Sequence, residues 1–278
     1  MVIDFHTHVF PEKIAARTVS ALAASSGSRP HSDGTAEGLR SAMDEAGCNI
    51  AINLPVLTKA TQFESICRFA SELNAEENAL EKGKNLNTGA HLISFAGIHP
   101  DDPDPEEHLH LVKELGFLGI KVHPDYQNTF FDDEKYIRIF SIAKELGLIT
   151  VTHAGQDGAF VGEPIKCTPT RVLRVLDKLG GYSKLVLAHL GGNKLFEQVY
   201  SELAGEDLFF DTSYALPIAG KSAFMKILEK HGPEKILFAT DSPWRNIKEQ
   251  IDLIKSYSLG SEAEDLIFSN NAKALLGI

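Results

Sequence analysis

The chain has 278 residues, with 27 basic and 38 acidic side chains and a net charge of −11 at neutral pH. A surface that negative repels nucleic-acid phosphates and anionic lipid headgroups, so no nucleic acid and no membrane is expected as a partner, and a small molecule is. Cys48, Cys67 and Cys167 are odd in number and contain no C-x-x-C pair, which argues against a disulfide framework and for a reducing, cytoplasmic setting.

Short apolar runs alternate with amphipathic segments along the whole length. Val2–Val9 opens the chain as a strand rather than as a leader peptide. The further expected strands are Ile50–Val56, Leu92–Ile98, Leu118–His123, Leu148–His153, Lys184–His189, Leu208–Asp211 and Ile236–Asp241. Each is short and mostly apolar, as strands buried on both faces of a parallel sheet are. Between them, helices are expected at Thr35–Ala46, Pro105–Leu115, Glu134–Leu146, Pro169–Leu179, Ser222–His231 and Ile247–Ser256. Five of the six stop at a glycine, the residue best suited to the left-handed C-terminal cap. Ala24–Gly34 reads as a Ser/Gly-rich cover over a barrel mouth, and residues 74–87 as a helix end and surface loop. No internal linker divides the chain, so residues 1–278 are expected to form a single domain. Eight strands with helices between them give either a closed (β/α)8 TIM barrel or an open doubly wound sheet. No G-x-G-x-x-G follows the first strand and no phosphate-binding G-x-x-x-x-G-K-[ST] occurs, which favours the barrel.

His6-Thr7-His8 is the first chemical signal. Residues i and i+2 of a strand share a face, so both imidazoles project together, about 6–7 Å apart along the backbone. On a strand that also carries Val2, Ile3 and Phe5, two unpaired imidazoles would be costly without a partner. The second signal is positional. His6, His8, His99, His123, His153 and His189 all fall at or near the C-terminal ends of expected strands, and in a barrel those ends surround one mouth. Asp241 closes the last strand in the same way. The remaining histidines, His31, His91, His108, His110 and His231, read as solvent-facing.

His6-Thr7-His8, Thr152-His153-Ala154-Gly155, Ala188-His189-Leu190-Gly191-Gly192 and Ala239-Thr240-Asp241-Ser242-Pro243-Trp244 resemble the motifs of the amidohydrolase superfamily. The similarity extends to Asn270–Gly277. Within that superfamily it points to the amidohydrolase-related branch that includes aminocarboxymuconate-semialdehyde decarboxylase. The resemblance implies a metal-dependent hydrolase barrel in which His6, His8, His153 and Asp241 hold one divalent ion. Zinc is the first expectation, with manganese, iron or cobalt as alternatives. Asp241 and His189 would be the catalytic groups. Lys121 and His123, two apart on one strand, and Trp244 and Arg245, after the last motif, are expected substrate contacts. A carboxylated Lys121 bridging two ions is the less favoured arrangement; His153 and His189 would then bind the second ion. A homodimer is expected from the same branch. His99-Pro100 is also similar to TatD-type nucleases, but Lys121 stands where those are expected to carry a glutamate. The expected reaction is hydrolysis of a small amide, lactone or related carbonyl compound. The alternatives are non-oxidative decarboxylation by a carboxy-lyase of the same fold and a non-catalytic metal- or ligand-binding barrel.

Overall fold

The computed structural model describes residues 1–80 and 89–278. In chain order it contains β1 (Ile3–Thr7), α1 (Glu12–Ser26), α2 (Ala36–Ala46), β2 (Ile50–Asn53), α3 (Phe63–Leu80), β3 (His91–Ser94), β4 (Ala96–Gly97), α4 (Pro105–Glu114), β5 (Gly119–Val122) and α5 (Glu134–Glu145). There follow β6 (Ile149–Thr152), α6 (Pro169–Leu179), β7 (Leu185–Leu187), α7 (Phe196–Gln198), β8 (Phe209–Asp211), α8 (Leu216–His231), β9 (Ile236–Leu237), α9 (Ile247–Ser256), α10 (Ser261–Asp265) and α11 (Asn271–Leu276).

All strand pairings are parallel, in the orders β1-β2-β3 and β4-β5-β6-β7-β8-β9. Only Phe95 separates β3 from β4, so the two are halves of one barrel strand. The other seam is closed by backbone hydrogen bonds: Phe5 N–H to Phe238 O at 2.9 Å, Asp241 N–H to His6 O at 2.8 Å and His8 N–H to Ser242 O at 2.7 Å. Asp4 adds a side-chain latch, its carboxylate accepting from the Thr240 N–H at 2.9 Å and the Thr240 hydroxyl at 2.5 Å. The expected (β/α)8 barrel is therefore the observed fold.

Ile3, Phe5, Ile52, Phe95, Val151, Val186 and Leu237 form one buried cluster. They come from strands all round the barrel and meet inside it. A larger cluster fills the layer between the strands and the helices. The helices start and stop as the residue chemistry dictates. Thr35, Asp133, Thr168 and Asn246 accept hydrogen bonds from first-turn N–H groups of α2, α5, α6 and α9. Gly27, Gly47 and Gly180 end α1, α2 and α6 in the left-handed conformation.

Two expectations change. Of the expected cover Ala24–Gly34, the first three residues belong to α1, which runs to Ser26, so the cover begins only at Gly27. Of residues 74–87, those up to Leu80 are helical and the rest lie outside the described residues. His91 and His231, expected to face solvent, are 4% and 5% exposed. His231 sits on the last turn of α8 and stacks on Phe210, ring centroids 3.9 Å apart, and its Nδ1 accepts from Gly205 N–H. Helical periodicity shows that position as one of a face, but not what lies beneath it.

Burial lowers His231 from 6.5 to about 4. The folded chain thus holds it neutral where the unfolded chain protonates it, and stability is lost as pH falls from about 6.5 to about 4, by roughly 2–3 kcal/mol. The stability difference between wild type and His231→Gln, from urea melts at pH 8 and pH 4.5, should shrink by about that amount at the lower pH. A difference that does not change with pH would refute the assignment.

Candidate metal centre

A bulge on β1 makes the site. Asp4 pairs with Ala51 and Thr7 with Asn53, so three steps on β1 oppose two on β2. Simple alternation from the inward Ile3 and Phe5 would turn His6 outward. The extra residue turns His6 into the barrel, with His8 on the same side.

Asp211, at the end of β8, receives it: His6 Nδ1 donates to Asp211 Oδ2 at 2.8 Å. His8 Nδ1 donates to the Leu54 carbonyl at 2.8 Å. Because each Nδ1 carries the hydrogen, each Nε2 is left as a lone pair. The two Nε2 atoms lie 3.2 Å apart, and Asp241 Oδ1 is 3.0 Å from His8 Nε2 and 3.5 Å from His6 Nε2. Ligands bonded to one four-coordinate ion at about 2.0–2.1 Å lie about 3.3 Å apart. The three atoms therefore have the spacing and lone-pair direction of a metal-ligand set, and Asp211 supplies the carboxylate behind a ligating histidine.

His189 and His153 stand beside this set. Alternation from the inward Val186 would point Ala188, not His189, at the centre. The left-handed backbone at His189 and Leu190, φ 60° and 57°, brings the imidazole back. Gly191 follows at φ 79°, where a Cβ would strike the Phe210 ring at 2.7 Å. His189 N–H donates to Asp211 Oδ1, and His189 Nδ1 to the Ser213 carbonyl, both at 2.9 Å. Its Nε2 faces His153 Nδ1 at 2.9 Å. His153, expected as the fourth ligand, is thus bonded to His189 and groups with His123 and Asp157 rather than with His6, His8 and Asp241. Asp241 also has a left-handed backbone, φ 68°, a conformation held only where surrounding contacts impose it.

The protonation states suit cation binding. Burial, with Lys121 nearby, lowers His6 to about 3. Burial alone would raise Asp241, but the adjoining His8 and the other nearby imidazoles bring it down to about 2. Asp211, buried against His6, is likewise held well below the usual carboxylate range. Burial lowers Lys121 to about 8, against the pull of Asp211 and Asp241. Its Nζ is 3.1 Å from His6 Nε2, at the floor of the site. Burial and then the charge of Asp157 raise Asp125 to about 6.

A cavity of about 530 Å³ opens over these groups. His6, His8, Lys121, His123, His153, His189 and Asp241 line its floor, and Phe10, Ile14, Leu22, Phe69, Tyr126 and Trp244 are among its walls. Ser26, the last residue of α1, and Ser28 of the cover segment reach it, and Ser28 bonds Tyr214 across the mouth at 3.1 Å. Of the expected substrate contacts, Lys121, His123 and Trp244 face the cavity. Arg245 is not among the lining residues; it stacks over Tyr214 at 4.2 Å. His99 lies away from this cavity, and its Nδ1 accepts from Asp101 N–H. Sequence reasoning missed Asp211, Ser213, Asp125 and Asp157. Asp211 carried a signal, since it too closes an apolar strand.

Residues 3–278 match the amidohydrolase family profile, and the chain belongs to that family of metal-dependent enzymes. No curated protein matches the sequence. Among solved structures, 2,6-dihydroxybenzoate decarboxylase complexed with 2,6-dihydroxybenzoate is 20% identical, with 100% of this chain and 99% of that one covered and a TM-score of 0.72. The dihydroxybenzoic acid decarboxylase from Polaromonas, with bound manganese and the inhibitor 2-nitroresorcinol, is 18% identical, covering 99% and 96%, TM-score 0.70. A probable 2-pyrone-4,6-dicarboxylic acid hydrolase from Acinetobacter baumannii, with citric acid bound, is 17% identical, covering 100% and 99%, TM-score 0.66. At these identities the likeness establishes the barrel fold. No helix among the described residues is long and apolar enough to cross a membrane.

Asp211→Asn removes the carboxylate that orients His6. It should weaken Mn2+ or Zn2+ binding about 10–100-fold in a metal titration. Unchanged affinity would show that Asp211 does not act through His6.

Proposed function

We propose that the chain is a metal-dependent, non-oxidative decarboxylase of a small aromatic or unsaturated carboxylic acid. The observation that carries the reading is the cavity: walls of aromatic and aliphatic side chains over a floor holding the His6–His8–Asp241 set and a buried lysine. Apolar walls accept a planar body, and the floor gathers the positive charge that a carboxylate needs. The solved structures support the same choice, since dihydroxybenzoate and carboxyvanillate decarboxylases recur among them. The expectation of hydrolysis as the main activity gives way to its alternative on these grounds.

His6, His8 and Asp241 would hold a divalent ion, manganese or zinc, with His153 beside them as the fourth candidate. When bound, such an ion supplies positive charge that fixes and polarises substrate oxygens. Lys121 holds the carboxylate from the floor. The walls exclude water, so the carboxylate loses the hydration that stabilises it before the carbon–carbon bond breaks. The electron pair of that bond stays on the substrate carbon and carbon dioxide leaves. Asp241, ionised beforehand, takes a proton from a substrate hydroxyl or from solvent and delivers it to that carbon. His189 stands on the cavity floor, its Nδ1 tied to Ser213 and its Nε2 facing His153.

A second reading is hydrolysis of a lactone or amide. It is favoured by the ionised Asp241, which is equally placed to take a proton from water. A panel of hydroxylated aromatic acids, unsaturated acids, lactones and amides, run with Mn2+ or Zn2+, separates the two. Carbon dioxide release from acids is expected. Turnover of lactones or amides alone would reject decarboxylation, and metal binding with no turnover at all would make the barrel a binding protein.

Two sets of variants test the centre. Asp241→Asn should lower turnover at least about 100-fold with the fold retained. His6→Ala combined with His8→Ala should lose bound metal in elemental analysis while keeping its circular-dichroism spectrum, because the barrel core does not depend on the ion. Global unfolding would mark the site as structural.

A further inference from the structure

The cavity is larger than its floor requires. At about 530 Å³ it falls in the range of about 300–1,000 Å³ that encloses drug-sized ligands, and a single-ring acid is smaller than those. The floor is made by side chains at strand ends, among them His6, Lys121 and His189. A second wall is made by two helices. Ile14, Thr18 and Leu22 of α1 recur every fourth residue and so share one face. Ile66 and Phe69 of α3, three apart, share another. The cavity runs between these two faces.

This end of the cavity is apolar, and the fold itself does not use it. α1 buries Ala15 and Val19. Phe10, Ile14 and Leu22 belong to neither core cluster and line the cavity instead. Large apolar side chains held there lose their water only when something fills the space. The nearby hydroxyls are spent within the protein. Ser26 donates to the Leu22 carbonyl at 2.8 Å, Ser65 to the Gln62 carbonyl at 3.0 Å and Thr58 to Gln62 Oε1 at 3.2 Å. Among the described residues that line the cavity, Lys121 is the one lysine and none is an arginine, while Asp157 and Asp241 are its carboxylates. A second carboxylate at the helix end would therefore lose its hydration with no lysine or arginine to pair it.

We propose that the substrate is a monocarboxylic acid with an elongated apolar substituent, an alkyl or alkenyl chain or a second ring. The substituent lies between α1 and α3, and Leu22 and Ile66 set the length that is accepted. This substrate class presupposes the carboxylate-binding floor of the proposed function and extends the body of the acid away from it by more than one ring. Both residues are half-buried, so they meet the ligand without forming the centre of the core.

The test is a binding series on the Mn2+-loaded, full-length protein: benzoate, then its para-ethyl, para-butyl and para-hexyl derivatives, and a para-butyl derivative ending in a second carboxylate. Affinity is read by calorimetry and by quenching of Trp244, the only tryptophan, which stands in the cavity wall. Affinity should rise by up to about fourfold for each methylene buried. The diacid should bind at least about tenfold more weakly than the para-butyl acid. Leu22→Asn should flatten the gradient, Ile66→Phe should cost the para-hexyl acid its advantage over the para-butyl one, and Ala21→Asn, on the exposed face of α1, should keep the gradient. No binding by any acid, an affinity that does not rise with length, or a diacid that binds as well as the para-butyl acid overturns the proposal. An unchanged gradient in Leu22→Asn, or its loss in Ala21→Asn, overturns it as well. Carbon dioxide release from para-alkyl hydroxybenzoates separates this from the reaction. A rising gradient without carbon dioxide rejects decarboxylation and leaves the apolar subsite standing, whereas carbon dioxide without a gradient does the reverse.

Discussion

The seam between the first and last strands is the constraint on which the site depends. His6 and His8 lie 233 or more positions before Asp241 in the chain, yet hydrogen bonds from Asp241 N–H to His6 O and from His8 N–H to Ser242 O make them neighbours. Asp4 and Thr240 reinforce the same joint from the other side. Ligand atoms that must sit within a few tenths of an ångström of one arrangement need a rigid frame, and a closed parallel barrel supplies it without exposed edges on either strand. Metal binding and barrel closure are thereby coupled: whatever opens the seam also separates the histidines from the aspartate.

Asp211 extends that logic one layer outward. It holds His6 through Nδ1, receives the backbone of His189 and sits at the end of its own apolar strand. One buried carboxylate therefore fixes the tautomer of one imidazole and the position of another. Its burial would be costly alone; the surrounding donors, His6, His189 and Ser213, make it tolerable. The left-handed backbones at His189 and Asp241 belong to the same frame, since residues other than glycine keep such conformations only where their surroundings over-determine them.

The cavity above combines two kinds of surface that seldom share a wall. The floor is polar, buried and rich in imidazole, while most of the sides are aromatic or aliphatic. Part of one side comes from α1 and the cover segment after it, joined across the mouth by Ser28 and Tyr214. Substrate choice therefore rests on segments that the barrel core does not constrain. This is the usual division in such folds, in which strands hold the chemistry and loops decide what reaches it.

Much of this was legible in the sequence for a plain reason. Apolar runs of strand length, helices closed by glycine, and titratable residues at the ends of strands are local properties, and each is imposed by local physics. They identified the barrel and the family, and they pointed to His6, His8, His189 and Asp241 as side chains that meet at one mouth. Three features depended on contacts between distant residues and left no local trace. The bulge on β1, set by pairing with β2, turns His6 inward where alternation alone would turn it out. The ring of His153 is oriented by His189, which draws it away from the His6–His8–Asp241 set. Packing against Phe210 buries a histidine on α8 that reads as solvent-facing. Residue type and spacing determine which groups are available; the partner each ring nitrogen meets is decided only when the strands close on one another.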